Sequence, residues 1–205
     1  MTAGLTVLQR VGVFGGAFDP PHMAHAALVQ TALTDLQLDE LLVIPTGQAW
    51  HKSRTLTPAH HRLAMAELAF SHLPRVRVDA LETQRPGPSY TVDTLRELKA
   101  QIPHAELFLI MGEDQARSLT TWHEWQAILQ LAIISVAVRE DLTGVKPLFT
   151  PPKSYESRFR RLQTPAMPVS ATDIRARIAT HQCVSSLVYE PVARYIDDHH
   201  LYQTN

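Results

Sequence analysis

The sequence predicts an α/β protein with a Rossmann-like, doubly wound parallel sheet, helices on both faces and a small helical part at the C-terminal end. Two observations predict this fold. Short apolar runs rich in β-branched residues alternate with longer segments of helical spacing, which is the pattern of repeated βαβ units. Most of the apolar runs are also uninterrupted by polar residues, as is typical of parallel strands that are buried on both faces.

Five segments are predicted to be strands because each is short, apolar and bounded by polar or turn residues. They are "VGVF" (11–14), "LLVI" (41–44), "VRV" (76–78), "LFLIM" (107–111) and "AIISVAV" (132–138). The first strand runs into Gly15 and Gly16, and paired glycines are a strong turn signal.

Helical spacing predicts the intervening segments. In "MAHAALVQTAL" (23–33), one stripe carries the apolar residues Ala26, Leu28, Val29, Ala32 and Leu33. The segment "PAHHRLAMAELAF" (58–70) follows Thr57 as a cap and has proline in its first turn. "TVDTLRELKAQ" (91–101) repeats the spacing, and from about residue 170 "SATDIRARIA" and "YEPVARYIDDHHLY" predict a helical C-terminal part.

Length and charge limit the classes of function. A chain of 205 residues with 45% hydrophobic residues predicts one domain over 1–205 with a substantial core. The formal net charge is −1, so no basic field favours nucleic acid or an anionic membrane as a partner.

Cysteine content and hydropathy predict the cellular location. Cys183 is the one cysteine, so neither an intrachain disulfide nor a cysteine zinc cage can form. The longest apolar stretch, "LAIISVAV" (131–138), is far shorter than the about 20 residues of a membrane helix. The N-terminal segment lacks the pattern of a signal peptide. We therefore expect a cytoplasmic protein that does not enter a membrane.

The segment "GVFGGAFDPPHMAH" (12–25) places a ligand-binding signal directly after the first strand. Ligands of open parallel sheets bind beyond the carboxyl ends of the strands, where helix N-termini offer N–H groups to phosphate. Pro20 and Pro21 are expected in the first turn of the next helix, which sets His22 and His25 on one helical face. Their imidazole N–H groups can then donate to phosphate oxygens.

Other interpretations of this segment stay open from the residues alone. Its glycines match neither G-x-G-x-x-G nor the P-loop pattern G-x-x-x-x-G-K-[ST]. Two histidines three residues apart can also bind a metal, but zinc takes three or four ligands and the chain has no HExxH motif. The third interpretation is a plain helix start that carries two histidines by chance.

Six segments resemble the motifs of one enzyme family, in family order. "GGAFDPPHMAH" (15–25) resembles the first signature of the nucleotidylyltransferase superfamily, a glycine turn followed by H-x-G-H, in the form of the nicotinate mononucleotide adenylyltransferases. The other matches are "IPTGQAWHK" (44–52), "SYTVDTL" (89–95), "IMGEDQARSLTTWHEW" (110–125), "VSATDIRARI" (169–178) and "VARYIDDHHLY" (192–202). The chain departs from the family at Ala24, where the motif has glycine, and this puts a methyl group near the expected phosphate.

The resemblance implies transfer of AMP from ATP to nicotinate mononucleotide, which gives deamido-NAD and pyrophosphate. It implies that His22, His25 and Arg175 act on the ATP phosphates as catalytic residues. The further ATP-binding residues that it implies are Gly15, Gly16, Phe18, Gly112, Asp114, Ser170 and Thr172. Mg²⁺ is expected with ATP, carried by phosphates and water. The attacking phosphate monoester has a second pKa of about 6, so it needs no general base.

The resemblance also implies a nicotinate mononucleotide site. Ser89, Tyr90 and Thr91 are expected at a helix N-terminus, where main-chain N–H groups can bind the nicotinate carboxylate. Lys52 is expected to bind a phosphate of the mononucleotide or of pyrophosphate. Trp122, in preference to Trp125, is expected to stack on the pyridine ring.

Two competing functions stay open. A related enzyme of the same fold would use nicotinamide mononucleotide or another phosphorylated acceptor. The second competing function is binding of ATP without turnover, which the replacement of the family's glycine by Ala24 suggests. The segments 46–56 and 140–157 have the composition of lids. Neither Asp19 nor Arg139 receives a role from the sequence.

Overall fold

Six parallel strands form one sheet in the order β3–β2–β1–β4–β5–β6. The computed structural model describes residues 8–48, 55–139 and 149–203. The strands are β1 (Arg10–Gly16), β2 (Glu40–Pro45), β3 (Val76–Val78), β4 (Glu106–Gly112), β5 (Ala132–Arg139) and β6 (Phe159–Thr164). The chain runs outward from β1 to β3, returns to place β4 beside β1, and then runs outward the other way. This order is that of a doubly wound sheet, so the predicted fold class is confirmed.

Helices connect the strands and follow the last one. The α-helices are α1 (Met23–Asp35), α2 (Ala59–Phe70), α3 (Leu81–Gln84), α4 (Thr91–Gln101), α5 (Glu113–Ser118), α6 (Trp125–Leu131), α7 (Ala171–Ala179) and α8 (Glu190–Asp198). Two short 3₁₀ helices span Leu119–Thr121 and Lys153–Arg158. The helices predicted at 23–33, 58–70, 91–101 and beyond 170 are therefore confirmed.

Different helices cover the two faces of the sheet. Successive side chains of a strand point to opposite faces, and β1 shows the result. Val13 packs in one apolar cluster with Leu95 of α4 and Ile128 of α6, whereas Phe14 packs in the other cluster with Val29 of α1. Because both faces are buried, the central strands read as continuous apolar runs in the sequence.

Strand β6 is the element that the sequence pattern did not predict. Its segment, "FRRLQT", carries Arg160 and Arg161, both exposed, between residues that are buried. It pairs with β5 alone and forms one edge of the sheet, where charged side chains face solvent and oppose pairing with another chain. The described end of the segment 140–157, which has the composition of a lid, is in part helical, since Lys153–Arg158 forms a 3₁₀ helix.

Helix α1 buries the predicted stripe but begins later than predicted. Pro20 and Pro21 precede the helix instead of lying in its first turn, and His22 is the N-cap. His22 has an extended backbone (φ −146°, ψ 171°), and the N–H of Met23 donates to the carbonyl of Leu187, so helical geometry starts only after His22. The N-cap of α2 is likewise one residue later than predicted, at Pro58.

The C-terminal helices share the core of the sheet. Ile174 of α7 and Ile196 of α8 lie in the same apolar cluster as Val29 of α1 and Phe70 of α2. A single domain over 1–205 remains a prediction, and this shared cluster supports it. Within the three described ranges, no helix is both long enough and apolar enough to cross a lipid bilayer.

We expect Ile196→Ala to lower the free energy of unfolding by about 2–4 kcal/mol, because its side chain is 1% exposed and truncation leaves a cavity. Urea unfolding followed by circular dichroism should still show one transition. The control is Arg194→Ala on the exposed side of α8, with a change within about 0.5 kcal/mol. A separate early transition in the Ile196 variant would mean that the C-terminal helices unfold on their own.

Candidate functional site

A cavity of about 310 Å³ opens at the carboxyl ends of β1 and β4. These strands are neighbours, but the connections that follow them lead to opposite faces of the sheet, so a crevice forms between them. The cavity is lined by Val13, Gly15, Gly16, Ala17, Ile44, Thr46, Glu82, Ser89, Tyr90, Thr91, Thr94, Leu109, Ile110, Met111, Gln115, Ser118, Thr121, Trp122, His123 and Ile128. Mostly apolar walls with a few polar groups are typical of a small-molecule site.

The glycine turn exposes its main chain to the cavity. Gly15 and Gly16 end β1, and a Cβ atom added at Gly15 would have no atom within 4 Å. A Cβ atom at Gly16 would lie 3.0 Å from the ring of Phe18, so glycine is required for the ring to fold back beneath the turn. A ligand in the cavity can therefore approach the main chain of this turn closely.

His22 and His25 meet at the start of α1. Their rings stack with centroids 3.7 Å apart and planes inclined by 18°. The main-chain N–H of His22 donates to Nδ1 of His25 over 3.2 Å. Because Nδ1 accepts this bond, the proton of a neutral His25 lies on Nε2, which becomes a hydrogen-bond donor. The structure therefore brings the two predicted histidines together and assigns the donor atom of one.

Phe18 lies in the core, with its side chain 2% exposed. Its ring makes edge-on contacts with the rings of His25 and Phe14, with centroids 5.2 Å and 5.3 Å apart. The sequence places Phe18 among the ATP-binding residues. In the structure its side chain instead supports the imidazole of His25.

Arg175 reaches the loop that leads into His22. It lies on α7, and its guanidinium donates to the main-chain carbonyl of Asp19 over 2.7 Å and to the hydroxyl of Thr172 over 3.1 Å. Ser170 is the N-cap of α7 and accepts from the N–H of Asp173, so its hydroxyl is engaged in capping. Arg175 thus contacts the loop between β1 and α1, three residues before His22, with Thr172 orienting it.

The three residues predicted for the nicotinate end line the cavity together. Ser89 precedes Tyr90, the N-cap of α4, and Thr91 is the first residue of that helix. Ser89 is 8% exposed, and its hydroxyl lies beside the carboxyl group of Glu82, whose pKa it lowers. Because Ser89 also lines the cavity, its hydroxyl can take part in hydrogen bonds to a polar ligand there.

The structure separates the two tryptophans of the fourth motif. Trp122 lines the cavity, and Tyr90 and His123, whose ring centroids are 4.6 Å apart, line it beside Trp122. Trp125 packs edge-on against Tyr155 with centroids 5.5 Å apart and does not line the cavity. The geometry favours Trp122 for stacking, as the sequence predicts.

Eight predicted site residues that the structure describes do not themselves line this cavity: Phe18, His22, His25, Gly112, Asp114, Ser170, Thr172 and Arg175. Gly112 is the N-cap of α5 at the end of β4, and Asp114 is exposed in the first turn of α5. Lys52 lies outside the described residues, and so do large parts of the two segments predicted to be lids.

Sequence reasoning missed Glu82, a buried carboxyl group in the cavity wall. The hydroxyl of Thr94 donates to its Oε1 over 2.8 Å. Burial raises the pKa of Glu82 above its usual value of 4.5, although the contact with Thr94 and the charge of Arg85 oppose that rise. Arg85 in turn donates to Thr94 and Glu97, so this network spans the loop that carries Ser89. No sequence signal separates Glu82 from a solvated helix residue.

A buried arginine, Arg62, ties the loops around the glycine turn together. Its guanidinium donates to the main-chain carbonyls of Ala17 (3.0 Å), Gly47 (3.2 Å) and Thr57 (2.8 Å). The sequence carries a signal for it. Arg62 precedes Met65 by three residues and lies on the buried stripe of α2, where a charged side chain needs a dedicated set of partners.

The fold and the donor-rich glycine turn define a class of nucleotide-transferring protein. The cytidylyltransferase-like family matches residues 13–177, and the chain belongs to that family. Within it, the chain belongs with the nicotinate-nucleotide adenylyltransferases. A probable nicotinate-nucleotide adenylyltransferase of Albidiferax ferrireducens is 66% identical over 96% of this chain and 100% of its own length. One from Methylibium petroleiphilum is 43% identical over 95% of this chain and 92% of its own length.

Solved structures show the same fold at low identity. The Plasmodium falciparum nicotinic acid mononucleotide adenylyltransferase complexed with NaAD matches with a TM-score of 0.76 and 19% identity, covering 96% of this chain and 98% of its own. The same enzyme complexed with APC gives a TM-score of 0.76 at 17% identity, with the same coverage. At these identities the likeness concerns the fold alone.

We expect the stability gained by Glu82→Gln relative to the natural chain to increase with pH. The folded-state pKa of Glu82 is raised, so its contribution is full below the unfolded value of 4.5 and is lost as pH rises through the folded value. Glutamine does not ionise, so the variant does not lose stability in this way as the pH rises. Urea unfolding of both proteins from pH 4 to pH 8 measures the difference.

The control for this experiment is Glu67→Gln, which removes an exposed carboxylate from α2. A stability difference that stays constant over the pH range for Glu82→Gln, or that declines, would contradict the raised pKa.

Proposed function

We propose that this chain transfers AMP from ATP to nicotinate mononucleotide, giving nicotinate adenine dinucleotide (deamido-NAD) and pyrophosphate, as a step of NAD biosynthesis. The observation that carries the proposal is the stacked pair of His22 and His25 at the start of α1, on the connection that follows a glycine turn whose main chain lines a cavity of about 310 Å³. The names of relatives that align over nearly the whole chain support the same reaction.

The reaction requires that the two substrates are correctly positioned and that the developing negative charge is stabilised. It does not require a base to remove a proton. A phosphate monoester has a second pKa of about 6, so the attacking group is already mostly ionised at neutral pH. Charge builds up on the α-phosphate and on the departing pyrophosphate. The Nε2–H of His25, the guanidinium of Arg175 and the main-chain groups of the glycine turn are the donors placed to offset that charge.

The acceptor binds at the other end of the cavity. Its carboxylate takes hydrogen bonds from the Oγ of Ser89 and from the N–H groups at the start of α4, and its pyridine ring lies on Trp122. Nicotinamide mononucleotide, the alternative acceptor, has a neutral amide in place of the carboxylate and gains less from these donors.

We propose Mg²⁺ as the cation that accompanies ATP. The donors beside the glycine turn are imidazole, guanidinium and main-chain N–H groups, which suit phosphate oxygens, whereas Mg²⁺ prefers oxygen ligands. The ion is therefore held by the phosphates and water. We also propose a cytoplasmic location, because a single cysteine fits a reducing compartment.

We expect His25→Ala to lower kcat by about 10²–10³-fold, the usual effect of losing one donor to a transition-state charge. Pyrophosphate release with ATP, Mg²⁺ and nicotinate mononucleotide measures it. The exposed His104→Ala is the matched control and should leave kcat unchanged. Turnover of the His25 variant within threefold of the natural chain would remove His25 from the mechanism.

The same assay with each acceptor tests the acceptor proposal. We expect a clear preference in kcat/KM for nicotinate over nicotinamide mononucleotide, and Ser89→Ala should reduce that ratio about tenfold because a donor to the carboxylate is lost. Ser71→Ala, at an exposed position after α2, is the control. Equal kcat/KM for the two acceptors with the natural chain would contradict selection for the carboxylate.

A further inference from the structure

Asp19 is a buried carboxylate at the junction of several distant segments. It is 1% exposed and lies three residues before His22, in the loop between β1 and α1. Its main-chain carbonyl accepts the 2.7 Å hydrogen bond from the guanidinium of Arg175. The position of Asp19 therefore sets where Arg175 rests.

The side chain of Asp19 accepts hydrogen bonds from residues that are far apart in the sequence. The hydroxyl of Tyr202 donates to Oδ1 over 2.7 Å, and the main-chain N–H of Thr57 donates to Oδ2 over 3.3 Å. Burial, and then the charge of Asp19, raise the pKa of Tyr202, so its hydroxyl keeps its proton and remains a donor. Hydrogen bonds to a charged acceptor are the strong ones.

These contacts belong to a network of hydrogen bonds that surrounds the loop between β1 and α1. Tyr202 lies close to the C-terminal end, beyond α8, yet it reaches the loop that carries His22. On the other side, Arg62 holds the carbonyls of Thr57 and Ala17. The loop before α1 is thus supported on one side by a buried guanidinium and on the other by a tyrosine that the C-terminal segment supplies.

We propose that Asp19 and Tyr202 are positioning residues for AMP transfer: Tyr202 orients Asp19, and the main-chain carbonyl of Asp19 orients Arg175. This inference rests on the proposed function. Neither residue lines the cavity, and the hydrogen bond from Arg175 to Asp19 is the route by which both act. Removing the hydroxyl of Tyr202 takes a donor from a buried carboxylate and lets the main chain at Asp19 shift.

The effect should fall on turnover and leave acceptor binding unchanged. The acceptor groups Ser89, Thr91 and Trp122 line the cavity, at the start of α4 and on the segment after α5, whereas Asp19 and Tyr202 do not line it. A purely structural weakening would lower the midpoint of thermal unfolding without separating kcat from KM.

The first test is Tyr202→Phe, which keeps the ring and removes the hydroxyl. We expect kcat to drop about tenfold, with KM for nicotinate mononucleotide within twofold of the natural value, as for loss of a hydrogen bond to a charged group. Both proteins are assayed at a temperature at which circular dichroism shows them folded. The control is Tyr189→Phe at the start of α8, whose ring contacts His72, and its kcat should not change.

The second test asks whether Tyr202 acts through Arg175. Arg175→Ala and the double variant Arg175→Ala/Tyr202→Phe are compared in the same assay. If the hydroxyl works by orienting Arg175, its removal from the Arg175 variant lowers kcat by less than twofold more. A further tenfold loss would overturn this route, and natural kcat in Tyr202→Phe alone would overturn the whole inference.

Failure of the inference is distinguishable from failure of the proposed function. The natural chain is assayed first with ATP, Mg²⁺ and nicotinate mononucleotide. Absence of pyrophosphate release there contradicts the proposed function itself. Release by the natural chain together with an unimpaired Tyr202→Phe variant contradicts only the positioning role.

Discussion

The central constraint is that β1 pairs in parallel with β2 on one side and with β4 on the other. A parallel pair requires a crossover, and the crossovers on the two sides of β1 run over opposite faces of the sheet. The connections on the two sides of β1 therefore diverge at its carboxyl end. This divergence of the main chain by itself leaves a cavity there. Gly15 and Gly16 lie at this point, so their main chain borders the open space.

Around that opening, buried polar groups hold irregular segments in place. Arg62 donates to three loop carbonyls, Asp19 accepts from Thr57 and Tyr202, and Arg85 joins Thr94 to Glu97. A loop that lines a ligand site cannot satisfy its main chain through a helix or sheet ladder, so these side chains supply the partners. The same bonds limit how far the reacting groups can move, which is what in-line transfer requires.

Prediction from sequence succeeds where a local pattern sets the structure. The stripe of α1, the strand at 76–78 and the helix at 91–101 were predicted because periodicity reports which side chains are buried. It fails for β6, because this strand is at an edge of the sheet, where its two arginines are exposed and interrupt the apolar pattern of a buried strand. It also misplaces Pro20 and Pro21, because the helix begins only after the extended residue His22, where the N–H of Met23 bonds to Leu187, far along the chain.

The sequence by itself determined the fold class, the family and the residues of the histidine motif, because each of these follows from patterns among residues that are close together in the sequence. Only the tertiary structure decided which nitrogen of His25 donates, and that Glu82 is buried in the wall of the cavity. It also decided that Tyr202 meets Asp19 across 183 positions of sequence. These features depend on segments that meet only when the sheet has formed, and no spacing of residues along the chain encodes such distances.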